Sequence, residues 1–481
     1  MMRSFRHLAG SGPCLLLVRD LPCITVLLGA TLLSATPAIG QSLDGVWRSE
    51  GYGYAFKVQD GKWTAFEITS ATCVSGVTAT RTGGARSDRE ASFTRTDGVS
   101  FFLRPGGSND HRVLHFDGSA SDMRIDRQSR MPAVCDHLTP NTPRDNFEVF
   151  AKTFAEQYIS FDLKSVDWEK VVAENRPKVT AETNPFALFA ILAGMIHPFG
   201  DEHISLDAPA IGMSFHEFRP GTEPATESVF KVTDGAYLKS PLQRFCNDQV
   251  KYGHIDETTG YLRILSFSGF SGAGNFASDL AKLEKAMDTI FSDPNLKRLV
   301  IDVRCCRGGF DPYGLAIASR LTAREYLAYT KVARADPVDR NRWTPGDPSI
   351  IKPSTRPGFR GPIVELIGPS TRSAGETFTQ ALMGRSPHVT RIGQNTQGVF
   401  SDVYSRSLPN GWEFGLPNEV FLTPDGKAFD GSGIPPDIEV PVFAPADLAA
   451  GKDPAMAKAI EVLTLTNAHN APHVTRATPG K

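Results

Sequence analysis

The sequence carries no long run of either charge and almost no net charge: 51 basic against 53 acidic residues in 481 leave a formal charge of -2. That composition offers no electrostatic footprint for nucleic acid or for an anionic membrane. No C-x-x-C, H-E-x-x-H or comparable spacing is present, so neither a metal nor another cofactor is expected. No segment reaches the roughly 20 apolar residues a spanning helix needs. The longest approach to one is "LPCITVLLGATLL", preceded by Arg3, Arg6, His7 and Arg19 and followed by "SATPAIG". That order reads as a secretory signal cleaved after Gly40, which predicts an exported protein, periplasmic or secreted.

Cysteine is also scarce. Of seven, Cys14 and Cys23 leave with the signal, and Cys73, Cys135, Cys246, Cys305 and Cys306 remain. In an oxidising compartment some should pair, and Cys73 and Cys135, which bracket one N-terminal segment, are the first choice for a disulfide.

At this length two or three domains are expected. Residues 41–139 read as a small β domain, because "GYGYAFKVQDGKWTAFEIT" and "SFFLRPG" are aromatic and β-branched stretches divided by Asp-Gly and Gly-Gly turns. Residues 144–210 read as a helical subdomain. Phe147, Phe150, Phe154 and Tyr158 recur at helical spacing after an Asp145 or Asn146 cap, and Phe186, Phe189, Leu192 and Ile196 do so in "NPFALFAILAGMI". A connecting segment, 211–259, leads to a core over 260–445 in which "GYLRILSF", "FASDLAKLEKAMDTIF", "RLVIDV", "YGLAIASRL" and "PIVELIG" alternate strand with helix. Such alternation implies right-handed crossovers and a largely parallel sheet, hence an α/β fold. Residues 446–481 read as a C-terminal helix and a polar tail.

In "GPSTRSAGETFTQALMG" a turn-rich piece meets a helical pattern at Ser373. A serine there can cap the helix, its oxygen accepting a free N–H of the first turn. The same place suits a nucleophile, since those N–H groups and the positive end of the dipole stabilise a nearby oxyanion. Parallel α/β sheets put their ligand sites at such strand-to-helix junctions.

The ordered series "GYLRILSF", "LVIDVRCCRGG", "GPSTRSAGETF", "RIGQNTQGVF" and "DGSGIPPDIEV" resembles the core of the C-terminal-processing and tricorn-type serine peptidases. The resemblance covers residues 145 to 443, without an inserted PDZ domain. It implies a crotonase/ClpP-like core sheet and Ser373, in "TRSAGE", as the nucleophile. One branch of that family takes its base from a lysine after G-E-x-T-x-G, but Val399 stands there. The tricorn-like branch uses a histidine from a D-x-H segment, which maps onto His203 in "HPFGDEHISL", with His197 as a rival. A carboxylate that orients the imidazole maps onto Asp430, with Asp201 as the local alternative; Asp437 would order the turn. Gly308, Gly309 and Ala374 would supply oxyanion N–H groups, although Cys305 and Cys306 replace the Gly-Asn of the family's loop. Glu376 is either a polar-network residue or a helix-N-terminal charge. The expected function is an exported serine-type endopeptidase acting on peptides or proteins. The alternative is a non-catalytic binding protein on the same fold, like the family's retinoid-binding relatives.

Overall fold

The computed structural model describes residues 42–83 and 90–470, except the side chains of 466–470; the expected signal segment and the polar tail lie outside the described residues. Eight antiparallel strands, from Gly45–Ser49 to Asp122–Gln128, form a closed barrel, its first strand pairing with its last so that Trp47 faces Arg127. Alternate residues point inward, and Trp47, Trp63, Phe93, Phe101 and Ile125 fill the interior. A Cys73–Cys135 disulfide is present, tying the start of strand Cys73–Gly83 to the segment that leaves the barrel.

The helix Pro143–Gln157 is capped by Thr142, whose Oγ1 accepts the Asp145 N–H at 3.2 Å, not by Asp145 or Asn146. The reason is Pro143: a proline is best placed at the first helical position, so the cap falls one residue before it. Asn184 caps Pro185–Ile196 in the same way. Phe186 departs from the expected buried stripe and is 59% exposed; Leu188, Phe189, Leu192, Met195 and Ile196 form the inward face.

The central sheet has seven strands, of which Thr259–Ile264, Arg298–Asp302, Ile363–Ile367, Val389–Gly393 and Ile438–Glu439 run parallel in that spatial order. Mixed α/β architecture is thus present. Helices Phe276–Phe291, Asp311–Arg320 and Ala374–Met383 contribute the core on one face, with Met287, Ile317 and Phe378 among its members. The C-terminal helix Pro454–Asn470 lays Ala455, Met456 and Ala459 on the other, against Tyr261, Val300 and Val364. Among the described residues no helix is long and apolar enough to cross a membrane.

A smaller sheet sets where the helical region meets the core. Strand Ser205–Ala208 pairs with Glu413–Pro417, Leu206 facing Phe414, and Glu413–Pro417 pairs in turn with Val403–Ser407. The segments just before Ser205–Ala208 and Val403–Ser407, which hold His203 and Phe400, are thereby brought to one place.

Candidate active site

Ser373 ends the turn that leaves strand Ile363–Ile367 and is the N-cap of helix Ala374–Met383. Its backbone lies at φ 52°, ψ -125°, a region that costs a non-glycine residue about 1–3 kcal/mol. The turn is pinned around it. Thr371 Oγ1 donates to the Val303 carbonyl at 2.9 Å and accepts the Gly368 N–H at 3.1 Å, while the Arg372 N–H donates to the Cys306 carbonyl at 3.2 Å. A sharp, strained strand-to-helix turn that lifts a serine out of the sheet suits a nucleophile.

Gly308 touches this residue: a Cβ built on it would lie 2.7 Å from Ser373 Cβ and 3.2 Å from Ala374 N. Only glycine fits, and Gly308 and Gly309 have φ of 80° and 138°. The Phe267 N–H donates to the Gly308 carbonyl and the Phe310 N–H to the Phe267 carbonyl. The cysteines beside this loop are buried. Cys305 packs with Phe230 and Leu265, Cys306 is fully enclosed near Gly375, and burial pushes both thiols up to about 12.

Glu376 is completely buried and is a network residue. Its Oε1 accepts from Thr396 Oγ1 at 2.5 Å and Gly398 N at 2.6 Å, its Oε2 from Val399 N at 2.9 Å and Ser373 N at 3.2 Å. Burial pushes its carboxyl up to about 7 against the pull of these donors. One carboxylate thus fastens the Ser373 turn to the 396–399 loop, and Val399 takes part through its backbone.

His203 is buried, and its Nδ1 lies 2.8 Å from the Phe400 carbonyl oxygen. A carbonyl only accepts, so Nδ1 carries a proton toward it, and Nε2 is the ring nitrogen not engaged by that contact. The His203 N–H donates to Asp201 Oδ1 at 3.0 Å, and Asp201 Oδ2 accepts from Tyr158 Oη at 3.2 Å with Lys164 Nζ at 3.7 Å. Asp430 does not take the imidazole's N–H. Its Oδ1 accepts the Phe400 N–H at 3.2 Å and its Oδ2 is enclosed without a hydrogen-bond partner. Burial, reinforced by Asp201 and Glu376, pushes Asp430 up to about 8. Asp430 and His203 therefore meet through Phe400, whose N–H and C=O they occupy from opposite sides. A backbone carbonyl has no residue-type signature, which is why the sequence does not announce Phe400.

An ion pair joins the two halves: Arg372 Nη1 contacts Glu202 Oε1, and both side chains are largely buried. The rival lies elsewhere. The His197 side chain is 67% exposed and pairs with Glu217 at 2.8 Å. Asp437 binds Arg391 and His388. Among the described residues no group of three or more His, Cys, Asp or Glu could hold a metal ion.

Residues 258–440 match Peptidase family S41 and residues 139–197 match the Tricorn protease C1 domain. A carboxy-terminal-processing protease of Bartonella bacilliformis is 27% identical over 191 residues, which cover 40% of this chain and 40% of that relative's length. The crystal structure of an inferred peptidase from Parabacteroides merdae ATCC 43184 superimposes with a TM-score of 0.58 at 26% identity, covering 67% of this chain and 97% of the other. That of mature CPAF shares the fold at 14% identity, with a TM-score of 0.52 over 70% of this chain and 99% of that one. These matches bear out the resemblance drawn from the five motifs and the expected class, a serine-type peptidase.

Proposed function

We propose, starting from a chain whose residues 258–440 are a Peptidase family S41 region, that the protein is an exported endopeptidase that hydrolyses peptides or proteins through an acyl-enzyme on a crotonase/ClpP-like core. The observation that carries this reading is the seating of Ser373: a serine at positive φ on a helix start, its Cβ against Gly308. Ser373 Oγ attacks the substrate carbonyl and His203 Nε2 takes its proton. The N–H groups of Gly308 or Gly309 and of Ala374 receive the oxyanion. His203 then gives the proton to the leaving amine, and water, activated by the same nitrogen, releases the acyl group. Asp201 and Asp430 are positioning residues. Asp201 holds the His203 backbone and Asp430 holds the Phe400 peptide whose carbonyl fixes the tautomer.

Labelling by a fluorophosphonate probe tests the reading. The wild type should be modified at Ser373 and Ser373→Ala should not react; a folded wild type that is not labelled would instead be a binding protein on this fold.

A further inference from the structure

We propose that Phe310 is a specificity-determining residue, the floor of a subsite that receives a large apolar side chain on the substrate residue contributing the attacked carbonyl. This rests on the peptidase reading and names its substrate class. Phe310 comes two residues after Gly308, which touches Ser373. Successive Cα atoms are about 3.8 Å apart, so Phe310 lies within about 8 Å of Gly308. Phe310 is 50% exposed. A large apolar group left open two residues from the glycine that packs on Ser373 is the informative kind of exposure.

The back of the ring is built, and partly by the barrel. A Cβ on Gly118, in the loop between strands His111–Phe116 and Asp122–Gln128, would lie 3.2 Å from a Phe310 ring carbon and 3.4 Å from Phe276. Phe310 meets Tyr313 edge-on at 6.0 Å, and Tyr313 stacks on Phe276 at 5.0 Å. The wall behind the ring is thus aromatic, and the barrel completes it by lacking a side chain at Gly118.

The shelf is also held in place relative to Ser373. The next residue, Asp311, accepts from Thr377 Oγ1, on the helix that Ser373 starts, at 2.7 Å. Lys331 Nζ, buried, lies 3.8 Å from Asp311 Oδ2 and 3.0 Å from Ser121 Oγ in the same barrel loop as Gly118. One lysine therefore links the barrel loop to the residue that anchors Phe310. An apolar floor of fixed position discriminates by the area a substrate side chain buries on it.

The test uses matched fluorogenic peptides that differ only in the residue before the scissile bond (Ala, Leu, Phe or Arg), with fluorophosphonate labelling of each variant as an independent reading of Ser373. The wild type should favour Phe or Leu over Ala by about tenfold or more in kcat/KM. Phe310→Ala should keep its labelling and lose most of that preference, and Phe310→Asp should turn it toward Arg. Phe310→Leu guards against a folding defect; it should lower the Phe-to-Ala ratio while remaining labelled. A wild type that favours Ala or Arg overturns the inference, as does an unchanged Phe-to-Ala ratio in any labelled variant. Absence of labelling in the wild type overturns the peptidase reading itself, and the inference with it.

Discussion

Arg372 and Glu202 form a largely buried ion pair, and each immediately precedes one member of the candidate pair, Ser373 and His203. Two segments 170 positions apart in the chain are thus locked together beside Ser373 and His203. Removing either partner leaves the other charge in a poorly solvated place. Arg372→Ala and Glu202→Ala should each lower the rate of fluorophosphonate labelling about tenfold or more, since a displaced base costs far more than its distance suggests. The reversed pair Arg372→Glu/Glu202→Arg should recover part of it, and a double variant no better than the worse single one would refute the coupling.

Ser373→Ala and His203→Ala should each abolish peptide hydrolysis, and the double variant should be scarcely worse than either, because the residues act as a unit. Near-normal turnover by folded His203→Ala would move the base to another group.

Asp430 titrates in the opposite sense to an ion-paired carboxylate. Its folded pKa of about 8 lies above the ordinary aspartate value of 3.8. The folded state therefore binds the proton more tightly than the unfolded chain, so its stabilising contribution is complete below about pH 4 and is lost as pH rises through 8. Thermal melts should show the wild-type Tm falling across this window more steeply than that of Asp430→Asn. The amide keeps an acceptor for the Phe400 N–H, so Asp430→Asn should retain more activity than Asp430→Ala.

Glu376→Ala strands three backbone N–H groups and the Thr396 hydroxyl that the carboxylate now accepts. At about 1–3 kcal/mol for each buried group left unpaired, partly relieved by relaxation, urea melts should report a loss of several kcal/mol. Glu376→Gln should also be destabilised, because its NH2 must face donors. Retention of wild-type stability by both variants would mean that the turn is held by other contacts.

The Cys73–Cys135 bond closes a loop with a sequence separation of 62. Chain entropy puts its contribution at about 4 kcal/mol. Peptide mapping without reductant should recover the linked pair, and Cys73→Ala/Cys135→Ala should melt at a correspondingly lower temperature.

Local pattern was enough to read the alternation of strand and helix that builds the parallel sheet, Cys73 and Cys135 as the first choice for a disulfide, and a serine at a strand-to-helix junction. These follow from periodicity and from residues whose own chemistry is distinctive. Thr142 as cap and the exposure of Phe186 were missed because a cap is chosen by the neighbouring proline and a stripe by what packs against it. The assembly of the site depends on contacts between distant segments. The pairing of Ser205–Ala208 with Glu413–Pro417 carries His203 toward Phe400, and the imidazole is then oriented by a backbone carbonyl rather than by the carboxylate of Asp430. Every residue has such a carbonyl, so no residue type marks the one that matters, and distance along the chain says nothing about which segments a sheet will bring together.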